Sequence, residues 1–80
     1  MEKTLGERIR RIRQVRGLTQ TELAHHIGIS KTAMNQIESS KTSDPGVSRV
    51  TAIARVLQVS SDYLLGLKED DAELLAAAVA

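Results

Sequence analysis

Lys31 and Thr32 stand four residues before Asn35 and Gln36, the spacing that places side chains together on one face of a helix. Lysine offers three N–H donors, threonine a hydroxyl beside a methyl, and Asn and Gln a donor and an acceptor each. These groups match the edges of bases in the major groove of a nucleic-acid duplex. Lysine suits guanine O6 and N7, Gln suits adenine N6 and N7, and a threonine methyl can meet the methyl of thymine. Plain solvation would also account for such a face, because most surface helices are polar outside. The residues that position the face tip the balance away from solvation alone.

Thr19 and Glu22 have the spacing of a capping box, in which a hydroxyl and a carboxylate each satisfy an amide at a helix start. A helix therefore begins near Gln20, with Leu23, Ala24 and Ile27 on its apolar side. Gly28 ends it, as a residue free to take positive φ. After the turn at Gly28 and Ile29, Ser30 is a good N-cap for a second helix, whose buried side is Ala33, Met34 and Ile37. Lys31, Thr32, Asn35 and Gln36 then face outward.

This stretch, TQTELAHHIGISKTAMNQIESSK, resembles the helix-turn-helix of the lambda-type phage repressor and Cro family. Small Ala24 stands where the two helices cross, Gly28 in the turn, and Leu23, Ile29, Met34 and Ile37 as core. The likeness extends over residues 5–67, including GLTQ from Gly17, the Ile37 and Glu38 pair, and the closing VSSDYLLGL. It implies an all-α, compact five-helix domain in which the second and third helices form the helix-turn-helix. It further implies a sequence-specific regulator of transcription, a repressor by family habit, that binds a palindromic operator in double-stranded DNA as a homodimer. Lys31, Thr32 and Gln36 would read bases, Asn35 base or phosphate, and Gln20 would donate to phosphate, with Ser30 in the same binding set. The matching arginine in relatives pairs with an acid between helices, which assigns Arg13 to Glu38. Family members carry Asn or Arg, then Gly, then a basic residue in the following loop. Here that loop reads SSKTSD, so phosphate contact is carried over for Ser39, Lys41 and Thr42 and no minor-groove arginine is assigned.

The rest of the chain fits around this unit. Thr4 and Glu7 repeat the capping-box spacing and start a first helix running to about Arg16, with Leu5, Ile9 and Ile12 inward. Arg8, Arg10, Arg11, Arg13 and Arg16 crowd the remainder, and Arg11 and Arg16 are the candidates for phosphate contact. Gly17 stops the helix. Pro45 and Gly46 precede a fourth helix, with Val47, Val50, Ile53, Ala54 and Leu57 as its inner stripe, and Gln58 stands where members of the family it resembles commonly carry a C-cap glycine, so the resemblance allows a slightly strained left-handed residue there. Ser60 or Ser61 caps a short fifth helix that Gly66 ends. Its Tyr63, Leu64, Leu65 and Leu67 are too many apolar groups for one side of so short an element. Tyr63, Leu64 and Leu67 are accordingly assigned to the dimer interface, and half-sites about one helical turn, roughly 10 bp, apart would follow. Residues 1–67 form the DNA-binding domain. Residues 68–80, acidic and then alanine-rich, have good helix propensity and could extend the dimer contact, dock on the fifth helix or lead into a further domain.

Composition narrows the alternatives. Eighty residues make one small domain whose core is marginal without a partner. Net charge is only +1, but residues 1–43 hold eight Lys and Arg against four Glu, and residues 44–80 three against six acids. The first half is the half that could face phosphates. Tyr63 is the single aromatic residue, which leaves little for stacking on unpaired bases. Without cysteine there is neither a disulfide framework nor a thiolate zinc site. His25 and His26 are adjacent and point about 100° apart, with no further ligand at i+4, so no metal is assigned. No apolar run nears the roughly 20 residues of a membrane span, and no signal-peptide pattern opens the chain. A soluble cytoplasmic protein of bacterial or phage origin is expected. The hydroxyl residues sit at caps and in loops, no nucleophile with a base can be assembled, and no phosphate-cradling glycine motif is present, so neither an enzyme, a cofactor nor a small-molecule ligand is expected. The competing reading is a protein-interaction module of the same fold that has lost DNA binding, supported by the weakly basic loop.

Overall fold

Four of the five helices begin where a hydroxyl is available to take an orphan amide. Thr4 caps α1 (Leu5–Val15), Thr19 caps α2 (Gln20–Ile27), Ser30 caps α3 (Lys31–Glu38) and Ser60 caps α5 (Ser61–Leu64), each accepting from the N–H three residues on. Helix α4 (Val47–Leu57) starts instead at Gly46, which has no side chain to offer. The computed structural model describes residues 4–39 and 45–67, and among these there is no strand. The expected loop residues Lys41 and Thr42, and the tail at 68–80, lie outside the described residues.

The capping box at Thr19 is complete. Its hydroxyl accepts from Glu22 N–H at 3.0 Å, and the Glu22 carboxylate accepts from Thr19 N–H at 2.9 Å. At Thr4 only half of the box forms: the hydroxyl accepts from Glu7 N–H and itself donates to Glu7 Oε1 at 3.0 Å.

The periodic apolar positions meet in one core. Ile9 and Ile12 of α1, Leu23 and Ala24 of α2, Met34 and Ile37 of α3, and Val50, Ile53, Ala54 and Leu57 of α4 are buried together with Val59, Tyr63 and Leu64. Leu5, Leu18, Ile27 and Ile29 close its margin. Val47 does not join the stripe assigned to it. It is 84% exposed, although it shares a face with the buried Ala54 seven residues on, because it stands at the first position of α4, ahead of the buried stretch that begins at Val50.

Gly6 sets how closely α1 can cross the end of α3. It is buried, and a Cβ there would overlap the carbonyl oxygens of Ile37 and Glu38. The absent side chain lets the two backbones approach, and that approach brings Arg13 beside Glu38. Gln58 takes the left-handed conformation that the family resemblance allows, φ 59° and ψ 43°. Arg16 steadies that corner, its Nε donating to Leu57 O at 2.7 Å and its Nη2 to Gln58 O at 3.4 Å, a cation on the carbonyl end of α4 where the helix dipole favours it.

Candidate nucleic-acid interface

Helix α3 turns Met34, Ile37 and Glu38 inward and leaves Lys31, Thr32, Asn35 and Gln36 exposed on its outer side. The spacing alone dictates this split, since inner and outer residues differ by less than a turn. The side chains of Lys31, Thr32 and Gln36 have no internal hydrogen-bond partner among the described residues. Asn35 is different. Its Nδ2 donates to Gln20 Oε1 at 3.5 Å, and Gln20 Nε2 donates in turn to Glu38 Oε1 at 3.1 Å.

Beneath that pair lies the ion pair that ties α1 to α3. Arg13 Nε donates to Glu38 Oε2 at 2.7 Å and Arg13 Nη2 to Glu38 Oε1 at 3.0 Å, a two-pronged contact with both side chains buried. Arg13 Nη1 also donates to Leu18 O at 2.8 Å, so one guanidinium holds the turn before α2 and the last residue of α3 together. The pairing that the family resemblance implied is therefore present, and it has a third member, Gln20, at the first position of α2.

The five arginines crowding α1 divide by what they touch. Arg8 Nη1 reaches Leu64 O at 3.4 Å, Arg11 Nη1 reaches the Tyr63 hydroxyl at 3.4 Å, and Arg16 holds the end of α4. Arg11 and Arg16, the sequence-based candidates for phosphate, are thus turned toward the α4 and α5 side. Arg10 is the one beside the exposed face of α3. It is exposed, has no hydrogen bond or ion pair among the described residues, and lines an open cleft of about 700 Å³ with Gln20, Lys31 and Asn35. A smaller hollow joins Arg10 to Gln20, Asn35, Glu38 and Ser39. The signal for Arg10 was available in its spacing, one turn before Arg13 on the same side of the helix.

The remaining expected residues fall as follows. Ser30 is exposed, but its hydroxyl accepts from Ala33 N–H at 3.0 Å and so serves the helix start first. Ser39 is exposed at the end of α3, its hydroxyl donating to Gln36 O at 3.3 Å. Of the three residues assigned to a dimer interface, Tyr63 and Leu64 are packed in the chain's own core, whereas Leu67 is 76% exposed and the unassigned Leu65 is 51% exposed. A one-turn helix must bury the residues that face α4 and α1 before it has any to spare. Among the described residues no group of three or more metal-ligating side chains occurs, and no helix is long and apolar enough to cross a membrane.

A fold of this kind, with an exposed polar helix held by a glycine turn and a buried ion pair, can be set beside known proteins. A helix-turn-helix family profile matches residues 9–64, so the chain belongs to the helix-turn-helix family, the XRE-like group that includes phage repressors. Repressor protein C2 of Salmonella phage P22 is 39% identical over 61 residues, which are 76% of this chain and 28% of that protein. The uncharacterized HTH-type transcriptional regulator YobD of Bacillus subtilis is 36% identical over 64 residues, 80% of this chain and 56% of that protein. Among solved structures, the P22 c2 repressor in complex with a synthetic operator superposes with a TM-score of 0.74 at 38% identity, covering 80% of this chain and 96% of that one. The N-terminal DNA binding domain of SinR from Bacillus subtilis gives 0.73 at 30% identity, covering 84% and 94%. The chain spans little more than half, or less, of the length of these two curated relatives.

Proposed function

We propose that this chain is a transcriptional regulator, a repressor, that binds a palindromic site in double-stranded DNA as a homodimer. The observation that carries the reading is the contrast on α3. Lys31, Thr32 and Gln36 stand exposed side by side, their side chains with no internal hydrogen-bond partner among the described residues, while the ends of their helix are fixed by the Ser30 cap and by the buried Glu38. Groups free to bond outward on a rigid ridge are what base readout needs. Relatives support the same reading, since the P22 repressor has been solved on an operator and the SinR domain is a DNA binding domain.

In this reading Gln36 takes adenine, Lys31 guanine and the Thr32 methyl a thymine. Gln20, Ser39, Lys41 and Thr42 hold phosphates, and Arg10, which has no hydrogen bond or ion pair among the described residues, joins them as a cation flanking the ridge. Ser30 lies at the edge of the same surface. The second copy meets the first through Leu65 and Leu67, with Tyr63 and Leu64 as the packed base beneath them, which doubles the contacts on a two-fold site.

The test compares one selected site with random duplex. Gln36→Ala is expected to lose about 1 to 3 kcal/mol on the selected site and little on random DNA, whereas Lys41→Ala weakens both and lowers the salt slope by about one. Equal losses on the two DNAs for Gln36→Ala would remove its reading role. Wild-type binding that does not fall as salt rises would remove the DNA reading as a whole and favour a protein-interaction module.

A further inference from the structure

The row Arg13, Glu38, Gln20 and Asn35 has a direction, and the direction follows from chemistry. A carboxylate can only accept. Glu38, with two acceptor oxygens held by Arg13, therefore obliges the Gln20 amide to present its nitrogen, as the 3.1 Å contact shows. That turns Gln20 Oε1 the other way, toward Asn35, which must answer with its own nitrogen at 3.5 Å. The carbonyl oxygen of Asn35 is then the end directed away from Gln20, on the exposed face of α3. A free asparagine amide can turn over and offer either end. Here a buried charge two side chains away selects one.

Resting on the reading of α3 as a base-reading helix, we propose that Glu38 is a positioning residue for recognition: through Gln20 it fixes Asn35 as an outward acceptor. The base facing Asn35 is consequently one that carries an amino donor in the major groove, adenine through N6 or cytosine through N4, in preference to guanine or thymine, whose O6 and O4 are acceptors. Asn35 thereby reads one position, and Gln20 has two duties, one on phosphate and one on orientation. Its second N–H remains for phosphate, since the Glu38 contact uses only one of the two.

Sites are selected from random duplex DNA with wild type, Asn35→Ala, Gln20→Met and Glu38→Gln, and the base preference at each position is read alongside affinity. Asn35→Ala identifies the position concerned. Wild type is expected to favour adenine or cytosine there by about tenfold, within the range of one good base contact. Gln20→Met leaves the Arg13 and Glu38 pair in place but cuts the row, and should reduce that preference to about twofold or less while the positions read by Lys31 and Gln36 keep theirs. Glu38→Gln, checked for folding by thermal melting, should do the same, because a neutral amide can offer either end to Gln20. If Glu38→Gln does not fold, Gln20→Met carries the test. Uniformly weaker binding by Gln20→Met with the preference intact would overturn the proposal and leave Gln20 a phosphate contact only. So would an Asn35→Ala protein that changes no position, with the wider reading of DNA binding left standing. A wild-type chain that selects no site would instead take down the DNA reading, and this proposal with it.

Discussion

The corner at Gly28, between α2 and α3, and the corner at Gln58, between α4 and α5, share one backbone pattern. Ile29 N–H closes back to Ala24 O at 3.0 Å in the first, and Val59 N–H closes back to Ala54 O at 3.0 Å in the second. A serine cap, Ser30 or Ser60, then starts the next helix. The occupants of the left-handed position differ. Such a backbone costs a residue with a Cβ about 1 to 2 kcal/mol, and glycine escapes the cost. Nothing lies within 4 Å of where a Gly28 Cβ would stand, so its backbone angle, φ 76°, is the reason for glycine and crowding is not. At Gln58 the strain is accepted and the carbonyls on either side of the bend are held by Arg16. The helices beyond the corners differ as well. Past Gly28 come eight residues pinned at the far end by a buried ion pair, and past Gln58 comes a single turn. Local strain is thus kept in the half of the molecule that does not aim the exposed ridge.

The strongest way to break this contrast is to free the far end of α3. Arg13→Ala would leave Glu38 charged, buried and without its principal partner, at a cost of about 3 to 5 kcal/mol in denaturant unfolding. That is a large part of what a domain of this size has in hand. A loss below about 1 kcal/mol would mean that α3 is aimed by its corner alone. Exchanging the corner residues is the sharper and smaller experiment. Gly28→Gln is expected to cost about 1 to 2 kcal/mol. Gln58→Gly should stabilise by about 0.5 to 1 kcal/mol, less than the mirror loss because glycine gives up more backbone freedom on folding. If Gln58→Gly destabilises, the Gln58 side chain contributes something beyond occupying the bend.

Short-range rules account for what could be read from the sequence. Caps at Thr4, Thr19, Ser30 and Ser60 lie within four residues of the amides they serve, whereas the left-handed Gln58 was suggested by the family resemblance, since relatives commonly carry a glycine at that place. Features set by how helices cross were not legible from spacing. The Arg13 and Glu38 pair came with the family resemblance. Arginines distributed around α1 gave no sign that Arg11 and Arg16 turn toward α4 and α5, and the spacing that sets Arg10 one turn before Arg13 becomes a signal only once Arg13 is placed against Glu38. Gly6 looks in sequence like a weak point in a helix, and only the approach of the α3 carbonyls explains it. Tyr63 and Leu64, assigned to a dimer interface, lie in the chain's own core, and one helical turn shows no period from which that inner side can be read.

The two corners are also reached from unlike helix starts. Helix α2 leads to Gly28 from a complete capping box with a carboxylate in it, and α4 leads to Gln58 from Gly46, with no side-chain cap. The Glu22 carboxyl is held below its ordinary range, first by the hydrogen bond from the Thr19 backbone amide and then by the Thr19 side chain. A carboxyl whose pKa is lowered on folding adds stability that is complete above its unfolded value, about 4.3, and is lost as pH falls through the folded value. Glu22→Gln keeps an acceptor at the same place without the charge. Thermal melting of the two proteins should therefore differ most near neutral pH, wild type being the more stable, and converge in acid. Because Glu22 is fully exposed and its interactions are screened by solvent, this is the smallest effect expected here. Equal stability of the two proteins at neutral pH would show that the side-chain oxygen, and not its charge, secures the start of α2.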